Sequence, residues 1–224
     1  MRPQVEKAAS VVLCVCALAI TVVAVRGEYS PERGPAKPPR PRYVKEWREM
    51  LSVGQVIAGD PAAPVKVVEF ADLECPFCRQ FQATIRETIK RHPRDIAFIL
   101  IHFPLSGHRF ARPAARAVEC AGREHVGQIV DVIYRFQDSL GLRPWTWYAG
   151  MAGISDTASF ARCADDPSPR QGIEAGRSLA ERLEINSTPT VVVNGWLYQG
   201  GVGLPILERA IEAVRKGKAI PGSE

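Results

Sequence analysis

Two cysteines three residues apart, in Cys75-Pro76-Phe77-Cys78, are the residues of this 224-residue chain best placed to do chemistry. Upstream, Val65 to Ala71 is β-branched and apolar, follows Pro61 and Pro64, and reads as a buried strand. Downstream, Phe77, Phe81, Ile85 and Ile89 recur at helical spacing as far as Arg91, with Pro93 just beyond. The pair therefore falls where a strand ends and a helix begins, the place where sites form in open α/β sheets. There Cys75 faces unpaired helical N–H groups and the positive end of the helix dipole, which favour its thiolate. Cys78 follows about one turn later, within disulfide reach on the same face. Pro76 takes a first-turn position, where a missing N–H costs nothing. The implied chemistry is thiol–disulfide exchange, with Cys75 as exposed nucleophile and Cys78 resolving the mixed disulfide. The alternative, a structural disulfide or a chance C-x-x-C, does not account for the strand–loop–helix context.

The other four cysteines pair by position as Cys14/Cys16 and Cys120/Cys163. A zinc site needs about four ligands, and His92, His102, His108 and His125 show no H-x₃₋₅-H spacing, so no metal site is expected. A Cu(I) thiolate carrier on Cys75 and Cys78 is a further alternative; residues 70–82 hold neither the Met nor the His that soft-metal carriers usually add. Cys120 and Cys163 fall on two helices of a long helical stretch and are read as a structural disulfide, with two buried free thiols as the alternative. Trp145 and Trp147 are expected to pack that stretch, and His102 and His108 to be structural rather than catalytic.

The elements that must position these residues alternate. Ile96 to Phe103 is a second strand, so strand, helix and strand form a βαβ unit with a parallel pair. A mainly helical insertion runs from about 109 to 183. Thr190 to Val193 then reads as a strand, Asn194-Gly195 as a tight turn, Trp196 to Tyr198 as the hairpin partner, and Leu204 to Lys216 as a closing helix. Tyr43 to Leu51 has helical spacing at Val44, Trp47 and Leu51. The folded part is one α/β domain over 43–220.

Before it, Ala8 to Val25 is apolar apart from Ser10 and Thr21, about the minimum needed to span a bilayer core. Residues 1–27 are read as an uncleaved signal anchor in preference to a cleaved signal peptide, because Val22-Val23-Ala24 and Val25-Arg26-Gly27 are weak cleavage sites. A lipoprotein is disfavoured by Leu13 and Val15 before the cysteines. Residues 28–42, with five prolines and no large apolar residue, are a stiff tether. The charges flanking the segment run against the positive-inside tendency. The chemistry nevertheless asks for an oxidising compartment, so the domain is placed on the extracytoplasmic side, or secreted if the segment is cleaved. A net charge of +5 with Lys and Arg scattered among acids gives no nucleic-acid footprint.

The stretch Val-Glu-Phe-Ala-Asp-Leu-Glu-Cys-Pro-Phe-Cys (68–78), with Phe-Pro-Leu-x-x-His (103–108), Ala-Ala-Arg-Ala-x-x-Cys-Ala (114–121) and Leu-Glu-Ile-Asn-Ser-Thr-Pro-Thr-Val-Val-Val-Asn-Gly (183–195), resembles the DsbA-like thioredoxin-fold family. The resemblance runs from about Val65 to Val214. It implies a thioredoxin fold: β-α-β, helical insertion, β-β-α. It implies that Thr188–Pro189 is cis and lies beside the disulfide, where the neighbouring backbone can pair with an extended substrate strand. Thr188, Pro189, Pro76 and Phe77 are then the expected substrate contacts. A sequon at Asn186-Ser187-Thr188 is discounted, since a glycan there would block this cleft. The family also implies that Glu69 is a buried acid behind Cys78, able to shuttle a proton; an outward strand carboxylate is the alternative. The function so implied is exchange of disulfides with protein substrates, without a cofactor. No dimerisation domain is read before the fold, so a monomeric oxidase reset by a membrane redox partner is expected. A reductase or isomerase for a dedicated partner is the alternative.

Overall fold

The computed structural model describes residues 40–219. The expected anchor, Cys14 and Cys16, and the tether up to residue 39 lie outside the described residues. Among the described residues no helix is long and apolar enough to cross a membrane.

Six strands form one sheet: β1 (Arg42–Tyr43), β2 (Gln55–Gly59), β3 (Val65–Ala71), β4 (Ile96–His102), β5 (Thr190–Val193) and β6 (Trp196–Gln199). Their order across the sheet is β1-β6-β5-β3-β4-β2. Only β3 and β4 run parallel, in the register Val65↔Ile96 to Ala71↔His102, as the βαβ reading requires. The crossover helix is α2 (Pro76–Arg91), which follows the short α1 (Met50–Val53). The insertion comprises α3 (Ala111–Cys120), α4 (Gly122–Arg135), α5 (Trp145–Met151), α6 (Thr157–Asp165) and α7 (Gln171–Arg182), and α8 (Leu204–Arg215) closes the chain. This is a thioredoxin-like α/β fold.

Alternation along β3 sorts its side chains between two layers. Val65 and Val67 face Phe81 and Ile85 of α2 and Leu207 and Ile211 of α8. Val68 and Phe70 face Leu179, Ile185, Trp47 and Met50 on the other side. Glu69 falls on the α2 side, at a point where the alternation would place an apolar residue. Leu73, Cys75 and Cys78 belong instead to the core of the insertion, with Ala114, Val118, Ile133 and Tyr148.

Three expectations are corrected. Tyr43 to Leu51 is not one helix: Tyr43 pairs with Trp196, Val44 N–H donates to Gly195 O at 2.8 Å, and only a 3₁₀ turn at Trp47–Glu49 and the one-turn α1 follow. Pairing with the hairpin's open edge takes Tyr43 and Val44 out of the helical pattern. Arg42 consequently belongs to the domain rather than to the tether. Finally, β2 adds an antiparallel edge strand to β4 that the β-α-β reading lacked. Its Gln-Val-Ile-Ala-Gly is short and bulged at Ile57, so its period-2 signal is broken.

Candidate active site

The loop between β3 and α2 is shaped by Asp72, which is 1% exposed. Its carboxylate accepts the N–H of Glu74 and of Leu105, both at 2.8 Å, and bonds His108 Nδ1 at 2.8 Å. Its carbonyl accepts the Cys75 N–H at 3.1 Å. From the insertion, Gln137 donates Nε2 to the carbonyls of Leu73 (2.9 Å) and Cys75 (3.0 Å). Cys75 is thereby fixed as N-cap of α2 with extended backbone, and Pro76 opens the first turn.

Both active-site cysteines are free thiols. Cys75 Sγ donates to the Thr188 carbonyl at 3.4 Å, and the Thr188–Pro189 bond is cis. The structure thus brings Cys75, Cys78, Thr188 and Pro189 together, with Pro76 and Phe77 exposed at the rim. One expectation is corrected: Cys75 is not an exposed nucleophile, since it is only 3% accessible. The Thr188 loop on one side and the Gln137 turn on the other leave little of the residue open.

The two sulfurs differ electrostatically. The Cys75 thiol is lowered from its ordinary 9.0 to about 5. The hydrogen bond from the Cys78 thiol is the main cause. Burial opposes it, and the Thr188 hydroxyl and the N–H groups of Cys78 and Phe77 reinforce it. Cys78 is raised well above the ordinary value, first by burial and then by its bond to the Cys75 thiolate and the Glu69 charge.

Glu69 lies fully buried behind Cys78, so the outward carboxylate is excluded. Its Oε2 accepts Gln82 Nε2 at 3.3 Å, while Oε1 has no partner. Burial drives its pKa from 4.5 to about 8; the neighbouring Cys78 thiol works against this, the Cys75 charge adds to it, and the Gln82 bond again lowers it. His108 is raised: burial pulls it down, but the Asp72 bond and the charges of Asp72, Glu74 and Cys75 outweigh that.

Sequence reasoning did not single out Asp72, Gln82 or Gln137. An acid one residue past a strand is a turn signal that could have marked Asp72. Gln82 lies one turn beyond Cys78, on the same face of α2. Gln137 carries no local signal, because its role exists only once the insertion folds over the loop. Cys120 and Cys163 are disulfide-bonded, and Trp145 and Trp147 pack with Phe136 and Tyr148 within the insertion.

A protein-family model described as Thioredoxin matches residues 51–213. The chain belongs to the DsbA-like thioredoxin family of thiol–disulfide oxidoreductases. A thioredoxin-like oxidoreductase from Silicibacter pomeroyi DSS-3 superposes with a TM-score of 0.64 at 26% identity, over 75% of this chain and 98% of that one. DsbA2 from Pseudomonas aeruginosa does so at 0.54 and 28%, over 73% and 95%. BdbD from Bacillus subtilis shares the fold at 0.64 and 22%, over 82% and 100%. Among curated relatives, a protein named Na(+)/H(+) antiporter NhaA 1 from Mycolicibacterium gilvum (strain PYR-GCK) is 31% identical over 182 residues, 80% of this chain. The match spans only 29% of that relative's length.

Proposed function

We propose that this chain is an extracytoplasmic oxidase that introduces disulfides into protein substrates through Cys75-Pro76-Phe77-Cys78. The observation that carries this reading is the contrast between the two thiols, Cys75 lowered to about 5 and Cys78 raised. Stabilising the thiolate stabilises the reduced form, and a couple whose reduced form is favoured takes electrons from its clients. A client thiolate attacks Cys75 Sγ of the oxidised pair and expels Cys78 as thiolate, giving a mixed disulfide. Glu69, behind Cys78 and held near neutrality, supplies a proton to that leaving sulfur. The client's second thiolate then attacks its own half of the mixed disulfide and releases Cys75 as the stabilised thiolate. The backbone at Thr188–Pro189 pairs with the client strand, and Pro76 and Phe77 meet it at the rim.

In this reading residues 1–27 anchor the chain, 28–41 tether it outside the membrane, and the domain that opens at Arg42 acts as a monomer. A membrane redox partner reoxidises the pair. The antiporter-named relatives favour a second reading, since there a counterpart of this domain makes up under a third of a longer protein. On that reading the domain serves one dedicated membrane-transport protein rather than many clients.

Trapping separates these. Cys78→Ala removes the resolving thiol, so reducible adducts should accumulate on non-reducing gels, many of them for a general oxidase and one for a dedicated partner. Cys75→Ala should lose exchange down to the uncatalysed rate and trap nothing, because the 0%-exposed Cys78 is out of a folded client's reach. A Cys78→Ala chain that traps nothing under oxidising conditions would refute the exchange reading.

A further inference from the structure

The second cysteine pair is more than a brace. Cys120 and Cys163 are both partly exposed, so solvent and small solutes reach the neighbourhood of their bond. The surroundings of the two sulfurs are unequal. Arg170 places its guanidinium against Cys163: one terminal nitrogen donates to the Cys163 carbonyl at 2.8 Å and lies 3.6 Å from its Sγ. The same nitrogen is 3.5 Å from Asp166 Oδ2, while its buried Nε has no partner. Arg116 is also held at this end of α6, donating Nε to the Ala164 carbonyl at 3.2 Å.

Among the described residues no guanidinium or ammonium is hydrogen-bonded to Cys120, whereas Arg170 reaches Cys163 directly. Cys120 is the last residue of α3, and α4 opens two residues later across the shared cap Ala121, so the two helix ends oppose one another there and give its thiolate no net support. Its neighbour Glu119 is engaged elsewhere, accepting Gln55 Nε2 at 2.7 Å and standing 3.3 Å from His102 Nε2. Cys163 also sits in the last turn of its helix, but there the guanidinium offsets the dipole.

We propose that Cys120–Cys163 is a second, directional exchange site for low-molecular-weight thiols, attacked at Cys120 and leaving through Cys163 beside Arg170. An external thiolate bonds to Cys120 Sγ as the Cys120–Cys163 bond breaks, and the electron pair goes to Cys163 as a thiolate facing the guanidinium. With a dithiol reductant, its second thiol loses a proton to solvent and attacks its own sulfur in the mixed disulfide. Cys120 then leaves as a thiolate and takes a proton from solvent. The dithiol becomes a cyclic disulfide and the protein pair gains two electrons. Leaving-group stability selects which sulfur departs, and a nearby cation lowers the thiol pKa that governs it.

The test uses the full chain carrying Cys75→Ser and Cys78→Ser, so that its outcome is independent of the exchange proposed for that pair. Incubation with glutathione, an acid quench and peptide mapping show which cysteine carries the adduct. The adduct should lie on Cys120 with roughly ten-fold preference, and after dithiothreitol reduction Cys163 should alkylate about ten-fold faster than Cys120 at pH 7, the ratio equivalent to one pKa unit. R170Q should collapse both ratios toward one, and R170K should retain most of each. Circular dichroism must show the reduced chain still folded. Equal adducts, an adduct on Cys163, a bond reduced only in denaturant, or ratios unchanged in R170Q would each overturn the proposal. If R170Q does not fold, the two ratios in the parent chain decide it alone.

Discussion

The chain holds two cysteine pairs in opposite settings, and the difference is one of what the fold does with charge. Cys75 and Cys78 sit at the helix N-terminus, above a buried acid, with one thiol lowered and the other raised. Cys120 and Cys163 lie 43 residues apart on two helix ends and fasten α3 to α6. The first pair closes a four-residue loop, so its oxidation constrains the unfolded chain about half as much as the second pair's, and the surrounding charges are large enough to decide which redox state is preferred. The second closes a long loop and limits the unfolded chain strongly. The first pair is placed where the two states are nearly balanced, and the second where loop closure favours the oxidised state, the state in which a small thiol meets it.

The largest effect expected of this comparison is on the second pair. Replacing Cys120 and Cys163 together by Ser should lower the unfolding free energy by up to about 4 kcal/mol on the chain-entropy argument. Denaturant unfolding of parent and variant, both with the first pair oxidised, measures it. Alkylation of Cys75 in the reduced variant should keep its parent rate, because the Asp72, Gln137 and Thr188 contacts do not pass through the disulfide. A loss under 0.5 kcal/mol would remove the second pair from the fold's supports.

Next in size is the buried acid. Glu69 is raised from 4.5 to about 8 in the reduced protein. A raised folded value means that the contribution of the protonated acid is fully present below pH 4.5, where both states are neutral, and is lost as pH climbs toward 8. Between those limits the unfolded chain ionises while the folded one stays protonated, at a cost of roughly 3 kcal/mol by pH 7. Glu69→Gln should therefore stabilise the reduced domain by that amount at pH 7 and by almost nothing at pH 4. It should also slow release of Cys78. A variant equally stable at both pH values relative to the parent would show that the acid is not kept neutral.

Much of this was legible in the residues themselves. The strand–loop–helix around Cys75 is local, each part carries its own periodicity or proline signal, and β3, α2, β4 and the β5–β6 hairpin lie within a residue or two of expectation. Glu69 is different, because its role came from the family resemblance. An isolated acid in an apolar strand says only that something must compensate it, and the Gln82 amide that does so is thirteen residues away. The elements not foreseen, β1 and β2, are edge strands specified by their neighbours rather than by their own pattern. The burial of Cys75 was missed for the same reason, since Thr188 and Gln137 approach it from 113 and 62 residues along the chain.

The smallest and most discriminating effect is the pH dependence of the first pair's own balance. Closing its four-residue loop should favour the oxidised form by about 2 kcal/mol at any pH. Against this stands the Cys75 thiolate, lowered from 9.0 to about 5 in the folded state. A lowered folded value gives stability that is fully present above pH 9 and lost as pH falls through 5. Between those values the reduced protein gains at most about 1.4 kcal/mol per pH unit, and about half that if the neighbouring dipoles relax around the thiolate. The oxidised form should consequently be the more stable at pH 5, with the order reversing between about pH 6.5 and 8 as the two contributions meet. Urea unfolding of both forms across pH 5 to 9, with Cys120–Cys163 intact throughout, measures the difference directly. A difference that stays flat with pH would mean that Cys75 is not held as a thiolate, and the oxidase reading would fall with it.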